Sequence, residues 1–262
     1  MAKLVPLFSS SKGNSYYISG NNEGILVDAG RNCKQLELAL MQNEIDTKTI
    51  KAIFVTHEHT DHCSALKVFA KRYDLPIYGS QGTVDALVSG DKVHEKAKLN
   101  VISDEVTLGD MQIKRVLTSH DAAESCGYFI TTADNRKCSV VTDTGFLTAD
   151  ALEHLKKSNV AVLESNHDVN MLKNGPYPYI LKKRVLSMTG HLSNVDCAKV
   201  LPLLVENGVT RFVLAHLSQE NNTPRLALDT SVATLSLSGM TKDNDYTIIT
   251  APALTNGKLV IF

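Results

Sequence analysis

The sequence predicts an α/β protein made of two β-sheets packed face to face, with helices outside. Three observations predict it. Apolar, β-rich runs of strand length alternate with stretches at helical spacing through the early part of the chain. A β-rich block then follows, with Met111 to Thr118, Cys126 to Thr131 and Lys137 to Thr142 in close succession. Finally, 262 residues with 43% apolar and 21% charged content suit one large core, and no internal repeat, low-complexity tract or long linker divides them. One domain over residues 1–262 is expected.

In order, Leu4 to Phe8 reads as a strand, Ser9 to Ser15 as a polar loop, and Tyr16-Tyr17-Ile18 as a second strand. Asn21 to Gly24 is a turn, and Gly24 to Gly30 is a strand ending in Asp28-Ala29-Gly30. Leu36, Leu38, Ala39, Leu40 and Met41 mark a helix. Ile50 to Thr56 is an apolar, buried strand, and Leu66, Phe69 and Ala70 fall at helical spacing between Ser64 and Arg72. Pro76 to Gly79 is a strand, Gln81 to Val88 a short helix, and Leu99 to Ile102 a strand. Leu108-Gly109-Asp110-Met111 is a tight hairpin turn into the β-rich block. Leu147 to Leu155 reads as a helix and Val160 to Glu164 as a strand. Ser187 to Asn194 opens a helix that runs to about Val205, Arg211 to Ala215 is a strand, and a helix and closing strands fill Thr223 to Phe262.

The chemistry concentrates in His57-Glu58-His59-Thr60-Asp61-His62, where the Ile50–Thr56 strand ends and a helix begins. His57 and His59 are two apart, so in extended backbone they point to one side and can bind one metal ion. Asp61 and His62 lie in the turn and can reach a second. Imidazole and carboxylate suit zinc, manganese or iron(II) alike. Such a dinuclear centre can hold a hydroxide and grip a phosphate or carbonyl oxygen. A polar loop with chance histidines is the bland alternative, and three His plus an Asp at this spacing argue against it.

His-x-His-x-Asp-His after a strand resembles the first metal motif of the metallo-β-lactamase superfamily of hydrolases. That resemblance implies a further His, a bridging Asp and a final His, each at a strand end. His120 after Met111–Ser119, Asp143 in Thr142-Asp143-Thr144-Gly145 and His216 after Arg211–Ala215 supply them in order. The fold implied is an αβ/βα four-layer sandwich of two mixed β-sheets with helices on the outer faces. By resemblance, His57, His59 and His120 bind one divalent ion, Asp61, His62 and His216 bind the other, and Asp143 bridges both. Asp61 also orients or accepts the proton of the hydroxide between them. Asp28 is implied as a hydrogen-bond partner behind the metal loop. His at position 62, Asp at 143 and His at 59 favour a dinuclear hydrolase over lactam cleavage or oxygen reduction.

Glu164-Ser165-Asn166-His167-Asp168 and Thr189-Gly190-His191-Leu192-Ser193-Asn194 resemble segments of the tRNA 3′-processing nucleases. On that resemblance Glu164 orients His191, and His191 neutralises phosphate charge or protonates the leaving oxygen. Together with Ser11-Lys12-Gly13-Asn14-Ser15 and Ala215-His216-Leu217-Ser218-Gln219-Glu220-Asn221-Asn222, these motifs resemble the YycJ/WalJ (VicX) group across nearly the whole chain. That group implies a bacterial cytoplasmic 5′-to-3′ DNA exonuclease using two divalent ions, with zinc, manganese and iron all open. A phosphodiesterase for small cyclic or nucleotide phosphates and an RNA nuclease akin to the tRNA processors are the alternatives. A thiolesterase and a non-catalytic regulatory protein stand further off.

Candidate substrate contacts are Ser11, Gly13 and Asn14 in the Ser/Gly loop, His167, and Lys182 and Lys183. The last two belong to a stretch from Lys173 to Arg184 that mixes aromatics with positive charge, suited either to a strand of DNA or to a solvated helix face. His94 and His154 read as solvated. The net charge of −1 provides no global field for nucleic acid, so any such partner meets a local patch. The 72 residues between Asp143 and His216 leave no room for the β-CASP cap of RNA-cleaving relatives. No apolar run approaches ~20 residues, so no membrane span is expected. Five cysteines with no Cys-x-x-Cys pair fit a reduced, cytoplasmic setting, with Cys63 a small buried residue.

Overall fold

Successive residues of the central strands face opposite sides, and this alternation builds the layers. The computed structural model describes residues 1–21 and 23–262. Its first sheet holds β1 (Lys3–Ser10), β2 (Gly13–Gly20), β3 (Glu23–Val27), β4 (Ile50–Phe54), β5 (Ile77–Gly79) and β6 (Leu99–Val101). The second holds β7 (Glu105–Leu108), β8 (Met111–Leu117), β9 (Cys126–Thr131), β10 (Lys137–Val141), β11 (Val160–Glu164), β12 (Arg211–Ala215) and β13 (Thr247–Thr250). A last strand, β14 (Val260–Ile261), crosses back to pair with β1, giving two seven-stranded sheets among the described residues. Both sheets are mixed. β3 to β6 run parallel in one, β10 to β13 in the other, and the remaining pairings are antiparallel.

Ile25, Val27, Ala52 and Phe54 point from the first sheet into the same buried layer as Tyr128, Val140, Val160, Val162 and Val213 of the second. Their neighbours face outward. Leu26 and Ile53 meet Leu36 and Leu40 of α1 (Cys33–Gln42) and Leu66 and Phe69 of α3 (Leu66–Arg72). Ala161, Leu163, Phe212 and Leu214 meet α5 (Ala149–Leu155), α8 (Asn194–Glu206) and α9 (Pro224–Leu237). Parallel strands covered on both faces need apolar runs rather than strict alternation, and this is how Val160–Leu163 and Phe212–Ala215 read. The expected two-sheet sandwich with outer helices is what forms. None of its described helices is long and apolar enough to cross a membrane.

Local signals set the helix starts. Ser193 accepts a hydrogen bond from the Asp196 amide at 3.1 Å and starts α8 two residues after His191. Thr223 caps α9, whose first residue is Pro224. Four expectations are corrected. The Ser9–Ser15 loop is mostly strand, because the Asn14 side chain adds an extra rung, accepting from Ser10 N at 3.1 Å and donating to Ser10 O at 3.0 Å. Only Ser11 and Lys12 lie outside the pairing. The Ser64–Arg72 helix is preceded by a separate turn, α2 (Thr60–Cys63), which carries Asp61 and His62. His154 is buried rather than solvated, its Nδ1 at 2.9 Å from Asp150 O and its ring against Phe129. His94 is half-buried, in contact with Lys71. The expected turn at Asn21 to Gly24 includes Asn22, which lies outside the described residues, and Glu23 already belongs to β3.

Phe54 is fully buried at the sheet interface, stacked on Tyr78 at 4.8 Å and edge-on to Tyr128 at 5.4 Å. Phe54→Ala should cost about 3–5 kcal/mol in urea unfolding. A cost under about 1 kcal/mol would contradict the packing between the sheets.

Candidate metal centre

The donors stand just past strand ends on one side of the sandwich. His57, His59, Asp61 and His62 follow β4, His120 follows β8, Asp143 follows β10 and His216 follows β12. Asp28 follows β3, and Glu164 closes β11. Asp28, Asp143 and His216 all have left-handed backbone, with φ of 63°, 56° and 54°. That conformation costs roughly 1–3 kcal/mol for a non-glycine residue, and Asp and His are among the types that accept it best. It turns each side chain sharply out of its strand and back toward the site.

The side chains meet in two three-donor groups. His57, His59 and His120 place one nitrogen each within 4.8 Å of the others, as do the donors of Asp61, His62 and His216. In the first group the rings lie edge to face, with centroids 4.6 to 5.1 Å apart. In the second, Asp61 Oδ2 is 3.4 Å from His62 Nε2 and 3.5 Å from His216 Nε2. Asp143 stands between the groups, with Oδ2 3.3 Å from His62 Nε2 and Oδ1 3.8 Å from His120 Nε2.

Four of the five donor rings are held by the far nitrogen. His57 Nδ1 is 3.0 Å from Thr56 Oγ1, His62 Nδ1 2.7 Å from Asp28 Oδ2, His120 Nδ1 3.0 Å from Gly190 O, and His216 Nδ1 2.8 Å from Glu164 Oε1. Thr56 donates its hydroxyl to Asp28, which leaves its oxygen to accept from His57. A histidine that donates through Nδ1 presents Nε2 as a lone pair. His57 Nε2, His120 Nε2, His216 Nε2 and Asp143 Oδ2 are all buried without a hydrogen-bond partner. Leaving such groups unpaired costs about 1–3 kcal/mol each. A divalent cation satisfies them together, so the donor set fits the group that the superfamily implies.

The electrostatics agree. Burial pushes His57 well below the usual imidazole range, and the neighbouring histidines add to it, so its ring is neutral and ligand-ready. Burial alone would lower His216, yet Asp143, Asp61 and Glu164 raise it to about 10. His62 is raised against the same burial by Asp143, Asp28 and Asp61. The carboxylates that raise His62 and His216 favour positive charge at this point, as a divalent cation would supply.

Glu164 is the buried support. Its Oε1 accepts from His191 Nδ1 and His216 Nδ1, both at 2.8 Å, and its Oε2 accepts from the Thr144 amide at 2.9 Å and the Leu192 amide at 3.2 Å. These partners hold it well below the usual carboxylate range against its burial. Gly30 closes the metal loop from below. A Cβ there would lie 2.0 Å from Asp61 O, so only glycine lets the β3 end approach so closely.

A cavity of about 190 Å³ opens over the donors. Of the sequence-predicted substrate contacts, Ser11 lines it, at the tip of the β1–β2 hairpin. Gly13 does not; it packs on Arg31. Asn14 turns inward instead, its Nδ2 3.0 Å from His62 Nε2 and 3.3 Å from Asp61 Oδ2. His167 is buried away from the cavity, with neither ring nitrogen bonded and its pKa lowered by burial to about 4. Lys182 and Lys183 are not in the cavity wall: Lys182 Nζ donates to Lys173 O, and Lys183 lies over Tyr179. The wall also includes Tyr177, Leu181, Arg184 and Val185, with Asn166, Ser218 and Asn221. Helical phase carried the signal for Arg184: α7 (Tyr179–Val185) puts Leu181, Arg184 and Val185 on one face.

The model of the beta-lactamase superfamily domain matches residues 23–217. Exodeoxyribonuclease YycJ of Bacillus anthracis is 38% identical, over 84% of this chain and 84% of its own. Exodeoxyribonuclease WalJ of Streptococcus pneumoniae is 32% identical, over 92% of this chain and 91% of its own. Among solved structures, the metallo-beta-lactamase fold protein YhfI of Bacillus subtilis superposes with a TM-score of 0.72 at 16% identity, covering 99% of this chain and 98% of that one.

Asp28 touches none of the seven donors except through His62. Asp28→Asn should weaken divalent metal affinity about 10- to 100-fold with far-UV circular dichroism unchanged. Unaltered affinity in calorimetric titration would remove Asp28 from the support of the site.

Proposed function

The chain belongs to the beta-lactamase superfamily, within its YycJ/WalJ group, and from that premise we propose a metal-dependent exodeoxyribonuclease that works 5′ to 3′. It is a hydrolase, and its centre uses divalent metal. The observation that carries the chemistry is the pair of three-donor groups facing each other across Asp143 beneath one open cavity. DNA enters as substrate because two relatives that cover most of the chain are named exodeoxyribonucleases.

His57, His59 and His120 would hold one ion, Asp61, His62 and His216 a second, with Asp143 shared. Zinc, manganese and iron(II) all accept this donor set. Bound there, a pair of divalent ions supplies an activated water and neutralises charge on the phosphate.

The chain's own residues do the rest. His191 lines the cavity with Nδ1 fixed on Glu164, so its other ring nitrogen is the one left for substrate. It bonds a phosphate oxygen or gives a proton to the departing one. Glu164 keeps His191 and His216 in register through a single oxygen. Asp61 reaches the cavity from the metal loop and is held ionised, against its burial, by His62 and His216, so it can orient or take a proton at the water's position. Tyr177 offers a ring for a base and Arg184 a guanidinium for the backbone. Lys182 and Lys183 add positive charge just outside.

The test uses protein stripped of metal and resupplied with manganese or zinc, offered 5′-labelled single-stranded and duplex DNA, RNA and a cyclic nucleotide. Stepwise release from the 5′ end is expected, with His191→Ala slower by about 10²- to 10⁴-fold and Asp61→Ala inactive. Metal analysis should find two ions per chain. Turnover of the cyclic phosphate alone would replace this reading with a small-molecule phosphodiesterase.

A further inference from the structure

We propose that α7 parts the end of a DNA duplex and feeds one strand to the metal centre, with Ile180 as the wedge. The inference rests on the DNA reading above.

The first ground is size. The cavity over the donors measures about 190 Å³. It is smaller than the ~300–1,000 Å³ that encloses a drug-sized ligand. A phosphodiester with its sugar is of the size such a cavity encloses, and a base pair is larger. A strand freed from its partner at the rim would bring its phosphodiester to the donors without carrying a base pair in.

The second ground is the shape of the rim. The inner face of α7 lines the cavity with Leu181, Arg184 and Val185. Its outer side carries Tyr179 and Ile180, 73% and 82% exposed. A lone exposed apolar residue is ordinary. Two in succession on a short helix that walls an active cavity call for a partner surface. Lys183 stands beside them, its Nζ 5.7 Å from the Tyr179 ring centre.

The third ground is charge. From Val169 to Val195 the chain carries Lys173, Lys182, Lys183 and Arg184 and no Asp or Glu, although the whole protein is at −1. Arg184 is paired with Asp121, while Lys173, Lys182 and Lys183 have no acidic partner among the described residues, and apolar side chains set among such cations complement the end of a nucleic-acid duplex, where stacked bases meet two phosphate backbones. Isoleucine is one of the residues that wedge between base steps, and aromatic rings stack on whichever base is freed.

The helix is also anchored to the chemistry. Arg184 grips Asp121 with Nε and Nη2, the latter at 2.8 Å. The His191 amide donates to Val185 O at 3.0 Å. A Cβ on Gly190 would lie 2.3 Å from both Arg184 O and Val185 O, so the loop to His191 lies flat against the end of α7. A wedge so attached keeps a fixed distance from the cleavage point. Ile180 meets the terminal pair, and Lys183 takes the phosphates of the strand turned away.

The experiment compares Ile180→Ala and Ile180→Asp with the wild type, all loaded with manganese, on three substrates of one sequence. These are a blunt duplex, a duplex whose 5′ end is already unpaired, and the single strand. The position is exposed, and an unchanged melting temperature checks the fold. The blunt-duplex rate should fall about tenfold or more, while the other two stay within about twofold. An equal fall on all three, or no fall on the blunt duplex, overturns the wedge. A wild type that degrades single strands but never a blunt duplex also overturns it, and leaves the exonuclease standing. A wild type with no activity on any DNA removes the exonuclease itself, and that is seen before any substitution is made.

Discussion

A single buried carboxylate holds the second sheet's half of the site together. Glu164 is wholly inaccessible, and an ionised group there is expensive unless fully bonded. Four donors meet that demand: the Thr144 amide in the turn after β10, His191 Nδ1 and the Leu192 amide just before α8, and His216 Nδ1 after β12. Three segments distant in sequence thus share one pair of oxygens. If the carboxylate lost its charge, the pocket residue and the metal donor would lose register together.

The first sheet repeats the device. Asp28, just past β3, accepts from the Thr56 amide and hydroxyl and from His62 Nδ1. Each sheet therefore backs its donors with one buried acid at the end of a strand. Both acids lie on the same side of the sandwich, because β3 and β4 run parallel in one sheet and β10, β11 and β12 in the other. The centre forms where these two rows of strand ends face each other, so its geometry follows from the sheet packing rather than from any loop.

Much of this was legible in the sequence. The His/Asp cluster after an apolar strand needs only period and composition to be seen, whereas the further donors at strand ends were reached through the resemblance to the metallo-β-lactamase superfamily. The two-sheet sandwich followed from the same runs. What was hidden depended on distance in space. Ser9 to Ser15 has the composition of a turn, yet Asn14 mends the strand with its side chain and then turns to Asp61 and His62. His154 is polar, but the Phe129 ring and Asp150 enclose it. The Lys182-Lys183-Arg184 run showed charge but not phase, and one helical step decides that Arg184 alone faces the cavity. Asn166, Ser218 and Asn221 lie in motifs the sequence singled out, but their place in the wall comes from the turns that follow β11 and β12.

The left-handed backbone at Asp143 and His216 reaches beyond geometry. Glycine would hold those turns at lower energy than either residue does. Relief of local strain and loss of a donor are thus the same substitution, while a β-branched replacement is barred by the backbone itself. At these two points selection for a steadier fold pulls against selection for chemistry. A lineage released from the need for a metal centre would find its easiest gains in stability there, so glycine at 143 or 216 in a related sequence would mark retirement from catalysis.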